Sequence, residues 1–240
     1  MRIIEEAKAL ISNGEIQNAT ENFIFDSTGA VLGDPISIGK IILAVAKSPF
    51  FWREQIFWTK MEMFINGVYY SENDRAKLRA KLCQIGEENK NAYRLVYFID
   101  KAESEQKIKY LINATRCLLA DFIDLQMYFR ICHTITHTME EDLNFLSKNI
   151  DKADLSYNTY IQGLLTSGLV YQSVIGGNCD SKYSFTPLAE SVDRFAVSYD
   201  DVERYPNPIQ ITDNSRSPQT QVSGIPEWEE TSENDIKKMF

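Results

Sequence analysis

Over the first 138 residues apolar side chains recur at helical spacing, and polar ones fill the intervals. Ile3, Ile4, Ala7, Leu10 and Ile11 predict a first helix from about Arg2 to Asn13, stopped by Gly14. Asn22-Phe23-Ile24-Phe25 reads as a strand or an extended clamp, and Asp26-Ser27-Thr28-Gly29 and Gly33-Asp34-Pro35 read as turns. A helix is expected from near Ile36 to just before Pro49. The segment from Phe50 to Asn66 is the most aromatic. Its apolar residues run around much of the circumference, which predicts a central helix whose aromatics pack rather than line a ligand pocket. Ser71 is placed to cap a further helix carrying Arg75, Lys77, Arg79 and Lys81. Helical spacing returns over Asn91 to Ile99 and Ser104 to Ala120, with Phe122 to Thr138 running on. Residues 1–138 are thus expected to form a bundle of five or six helices.

The pattern changes after residue 138. Met139 to Ile150 predicts one helix, and Tyr157 to Ser167 a second, with Ser156 as its cap and Gly168 as its end. Leu169 to Ile175 is rich in β-formers, Gly176-Gly177-Asn178 is a turn, and Lys182 to Thr186 is a partner strand. Pro187 suits the first position of a closing helix capped by Thr186, with Leu188, Val192, Phe195 and Ala196 inward.

Leu164-Leu165-Thr166-Ser167-Gly168-Leu169-Val170 resembles the end of a winged-helix domain's second helix entering its wing. Tyr183-Ser184-Phe185-Thr186-Pro187-Leu188-Ala189 resembles the wing's return. The whole chain more loosely resembles helical proteins of bacteria and their prophages, a likeness that implies no activity. The expected fold class is mainly α: a multi-helix bundle (1–138), a small winged-helix-like unit with a β-hairpin (139–199), and a flexible acidic tail (200–240). The tail is broken by Pro206, Pro208, Pro218 and Pro226, and carries Trp228 among glutamates as a candidate docking residue.

Charge decides between the uses of such a unit. Of the net −9, residues 1–137 contribute nothing, with 17 basic and 17 acidic side chains. Residues 138–200 carry 4 basic and 9 acidic, and 201–240 carry 4 and 8. Winged helices that bind DNA do so through the second helix and the wing, with Lys and Arg on phosphates. Here the second helix has neither, and the wing has only Lys182. Nucleic acid is therefore disfavoured, and its remaining route is Arg75, Lys77, Arg79 and Lys81 together with Lys182. A protein partner, or self-association, is the expected use, with Asn158, Gln162 and Thr166 as contact residues on the second helix.

No catalytic constellation emerges. His133 and His137 share a helix face at zinc-ligand spacing, but Thr134 stands where a zinc protease needs its glutamate, and nothing nominates a third ligand. There is no Gly-x-Ser-x-Gly elbow and no phosphate loop, so no enzyme and no cofactor is expected. Cys83, Cys117, Cys132 and Cys179 are widely spaced. The Met1–Glu6 start turns acidic without an apolar leader block. Together these predict reduced, mostly buried thiols in the cytoplasm. The most apolar run, Ile36 to Ala46, is too short to span a bilayer and carries Lys40. It reads as a core helix, with an interfacial helix as the alternative.

Overall fold

The computed structural model describes residues 3–47, 52–83, 90–174 and 181–199. Eight helices precede residue 138: α1 (Ile3–Ser12), α2 (Phe23–Val31), α3 (Pro35–Lys47), α4 (Trp52–Val68), α5 (Glu72–Leu82), α6 (Lys90–Lys101), α7 (Glu105–Leu119) and α8 (Leu125–His137). After them come α9 (Glu140–Asn149), β1 (Leu155–Ser156), α10 (Thr159–Thr166), β2 (Val170–Val174), β3 (Lys182–Phe185), α11 (Pro187–Val192) and a π-helical turn, Asp193–Val197. By their contacts, residues Met1–Pro208 form one unit, which holds every described residue. Among the described residues no helix is long and apolar enough to cross a membrane.

The expected strand at Asn22–Phe25 and turn at Asp26–Gly29 are instead a helix, α2. Asn22 caps it, its Oδ1 accepting from the Phe25 N–H at 3.1 Å. The small polar residues that read as a turn are absorbed by the helix, because Ser27 and Thr28 donate to the carbonyls of Phe23 and Phe25. Gly29 is there for α3: a Cβ at that position would lie 2.3 Å from Ser37 Oγ. Gly33, at φ +76°, then turns the chain into α3, whose Ile38 and Ile41 are fully buried. Burial of these two fits the core-helix reading of residues 36–46. The segment expected to run on from Phe122 breaks at Asp121, at φ +61°, and restarts as α8 where Asp124 accepts from the Met127 N–H at 2.7 Å.

α7 packs on α4 on one side and α8 on another at the centre, where Met61, Phe64, Ile65, Ile108, Leu111 and Tyr128 are all out of solvent. Only part of α4 is central: Ile56 is exposed on its surface. Ser71 caps α5 as expected, in a reciprocal box with Asp74. Cys117 and Cys132 are buried, their thiols pushed up to about 12 by desolvation, so both stay protonated at neutral pH. Cys83 is half-buried, and Cys179 lies outside the described residues.

The sheet has the order β1-β3-β2, all antiparallel. β2 and β3 match the expected hairpin, with an irregularity between Gln172 and Val174; the glycine turn joining them lies outside the described residues. β1 was not expected, and Ser156, the expected helix cap, sits in it opposite Lys182. The cap is Asn158, whose Oδ1 accepts from the Ile161 N–H at 3.0 Å. Thr186 and Pro187 begin α11 as expected, the Thr186 hydroxyl accepting from the Ala189 N–H at 3.2 Å. Val192, Phe195 and Ala196 are buried, and Leu188 is half-buried. The tail with Trp228 lies outside the described residues.

Candidate interaction surface

α10 is short, and its ends are fixed by local chemistry. At its C-terminus Gly168 adopts φ +72°, the Leu169 N–H reaches back to the Leu164 carbonyl at 2.8 Å, and the Gly168 N–H to Leu165 at 3.1 Å. This double closure satisfies orphan carbonyls and delivers the chain directly into β2. Ile161 and Leu164 face inward, while Phe145 of α9 stacks on Tyr160 with centroids 4.9 Å apart and planes 13° apart. The opposite side carries Thr159, Gln162 and Thr166, all exposed. Of the three sequence-expected contact residues, Gln162 and Thr166 are on this outer side, whereas Asn158 is half-buried and engaged as the cap.

The exposed tyrosines carry no sequence periodicity that marks them out. Tyr157, Tyr160 and Tyr171 are 59%, 43% and 50% exposed, and Met139 is 67% exposed. The Tyr157 hydroxyl donates to Gln162 Oε1 at 3.3 Å, and its ring lies 6.0 Å from that of Tyr183. The signal that could have found them is composition: α10 and the residues leading into it are tyrosine-bearing and free of Lys and Arg.

Lys182 of β3 is bound to Asp154 at 2.8 Å. On α5, Arg75 pairs with Glu6 at 3.2 Å and Glu72 at 3.6 Å, Arg79 reaches the Leu32 carbonyl at 3.5 Å, and Lys81 pairs with Asp121. Lys77 is exposed on another side of that helix. The rings of His133 and His137 lie 4.0 Å apart and tilted by 38°, and the His137 Nδ1–H donates to the His133 carbonyl at 2.8 Å. Burial, then the neighbouring His137 and Arg94, lower the His133 pKa. Among the described residues no group of three or more His, Cys, Asp or Glu is placed to hold a metal ion.

No protein family, curated protein or solved structure matches the chain. The surface must therefore be judged on its own chemistry.

One contact beneath it makes a pH prediction. Asp142, 8% exposed, places its Oδ2 only 2.0 Å from where a Cβ on Gly163 would stand, so α10 approaches α9 over a carboxylate. Burial, reinforced by Glu141, raises the Asp142 pKa. A raised acid pKa means the folded state holds the proton more tightly, so this group's destabilising contribution grows as pH rises through the folded pKa. Asp142→Asn is expected to unfold at a higher temperature than the wild type near neutral pH. The two melting curves should converge as pH falls to about 4. Equal melting at both pH values would refute the assignment.

Proposed function

We propose that this chain is a non-enzymatic interaction protein whose α9–β3 segment, winged-helix-like in outline, holds a protein partner on the outer side of α10. The observation that carries this reading is the chemistry of that side. It presents Thr159, Gln162 and Thr166 flanked by exposed tyrosines, with no ionised side chain on the helix. Tyrosine supplies broad apolar contact at low entropic cost and keeps a hydroxyl for hydrogen bonding, which is why it is enriched where proteins meet. DNA would instead require cations free to replace phosphate counterions. The wing's one lysine stands beside Asp154, whose carboxylate would repel a phosphate, and three of the four α5 cations are already engaged. An adaptor or inhibitor acting in the cytoplasm of a bacterium, in its own or a prophage's service, fits this surface by analogy alone.

The test uses the full chain as bait in bacterial lysate, beside a Gln162→Arg, Thr166→Arg variant. Both positions are exposed, so circular dichroism should be unchanged. The wild type is expected to retain one stoichiometric protein that the variant loses, and neither should shift duplex DNA at about 50 mM salt. A partner held equally by both would move the surface elsewhere. A DNA shift would restore the regulator reading through Arg75, Lys77, Arg79, Lys81 and Lys182.

A further inference from the structure

Away from α10, the helices α2, α4 and α6 leave a cleft of about 400 Å³ between them. Its walls are apolar and largely aromatic: Phe23, Ile24, Phe57, Tyr93, Val96 and Tyr97. Phe23 and Phe57 meet edge to face at 5.6 Å, which fixes the wall between α2 and α4. Ile24, Tyr93 and Tyr97 remain 57%, 50% and 41% exposed, an apolar surface that a core would normally cover. Ser27 also lines the cleft, but its hydroxyl is spent on the Phe23 carbonyl at 2.7 Å. The two charged side chains of the described lining stand together and mark one end.

That end is defined by Arg53 and Asp100. Arg53 is 85% exposed and holds the Asp100 carboxylate at 3.8 Å, a loose surface pair of the kind that contributes little and is readily exchanged. Lys60, two turns along α4 from Arg53, gives its proton to the Asp100 backbone carbonyl at 2.9 Å, not to the carboxylate. Lys101 places its ammonium 5.7 Å from the centre of the Tyr97 ring. The other nearby carboxylate, Glu103, is taken by Lys107 at 3.1 Å. Among the described residues the cations near that end, Arg53, Lys60 and Lys101, outnumber the one carboxylate that lines the aromatic slot.

We infer that the α2–α4–α6 cleft binds a small amphipathic anion, an aromatic body of on the order of two fused rings bearing a carboxylate. The body fills the slot between Phe57, Tyr93 and Tyr97. The carboxylate displaces Asp100 from Arg53 and lies within reach of the positive end. An aromatic ammonium ion, the other ligand that tyrosine faces attract, would meet Arg53 in the lining and the field of Lys60 and Lys101 beside Asp100, so charge selects the anion. The site shares no residue with α10 and stands whether or not that surface has a partner.

The probes are 2-naphthoate, 2-naphthalenemethanol and 2-naphthylmethylammonium, titrated into the full chain and followed by amide chemical shifts. Naphthoate is expected to saturate one site with Kd of about 1 mM or tighter, as a ligand of this size allows, and at least about fivefold tighter than the alcohol, with the ammonium weakest. Arg53→Glu should weaken naphthoate at least about tenfold while leaving the alcohol and the melting temperature unchanged. Tyr97→Ala should weaken all three probes together. Equal affinity for naphthoate and its ammonium counterpart, or an Arg53→Glu variant that binds naphthoate as the wild type does, would overturn the assignment, as would failure of naphthoate to saturate.

Discussion

Tyr128→Ala is expected to cost about 3–5 kcal/mol of stability, whereas Tyr128→Phe costs only about 1 kcal/mol. Tyr128 is fully buried and is the largest such side chain described, its ring 5.2 Å from that of Phe129. Its hydroxyl lies 3.0 Å from Thr115 Oγ1, and the Thr115 proton is already given to the Leu111 carbonyl at 2.7 Å. Removing the hydroxyl alone leaves the threonine oxygen and the weakly bonding Cys132 thiol each one partner short. Removing the ring opens a cavity among helices that cannot close on it, because the interior is packed at crystal density. Desolvation holds the Tyr128 phenol well above its usual pKa, so neither difference should vary with pH across the neutral range. For a folded unit of about 200 residues the alanine variant should melt roughly 10 °C lower. If the phenylalanine variant lost as much as the alanine variant in thermal or urea unfolding, the hydrogen-bonded pair rather than packing would be holding this centre.

What could be read in advance followed from how local each signal was. Helices announced by a polar cap, such as α5 behind Ser71, or by repeated apolar spacing, such as α7, were legible because both signals act within a turn or two of chain. α2 was not, since Asp26-Ser27-Thr28-Gly29 suits a turn locally. Its helix is chosen by contacts from elsewhere, among them Ser37 of α3 pressing on Gly29. β1 is two residues long and exists only because β3 lies beside it, so no window of sequence contains its cause. The candidate surface divides in the same way. The lack of cations on α10 is a property of its own residues, but the exposure of Tyr157 and Tyr171 depends on which side of the sheet and helix the core takes. The cleft gathers residues from three helices, of which only Phe57 belonged to the aromatic run that drew notice.

Asn113→Leu is expected to loosen the closing segment from the bundle, at a cost of about 2–4 kcal/mol. The Asn113 side-chain amide donates both protons, at 2.9 Å to the Ala196 carbonyl and 2.8 Å to that of Tyr199. One of these carbonyls lies in the last part of the π-helical turn and the other lies two residues beyond it, where helical carbonyls run short of donors within the helix. The thiol of Cys117, one turn further along α7, adds a weaker bond to the Phe195 carbonyl at 3.5 Å. Leucine is close to the asparagine in size but removes both donors, so the carbonyls of two buried residues each lose this bond at once. Amide hydrogen exchange should then quicken over Asp193–Tyr199 more than over α9, because the lost bonds lie at that end. Asn113→Asp sharpens the test through charge. A carboxylate facing two carbonyls is repelled in its ionised form, so its folded pKa must rise. Stability should be lowest at neutral pH and recover in part below about pH 4, when the protonated acid donates one bond. An aspartate variant whose stability did not improve on acidification, relative to Asn113→Leu, would show that Asn113 fills space at this junction and does not fasten it.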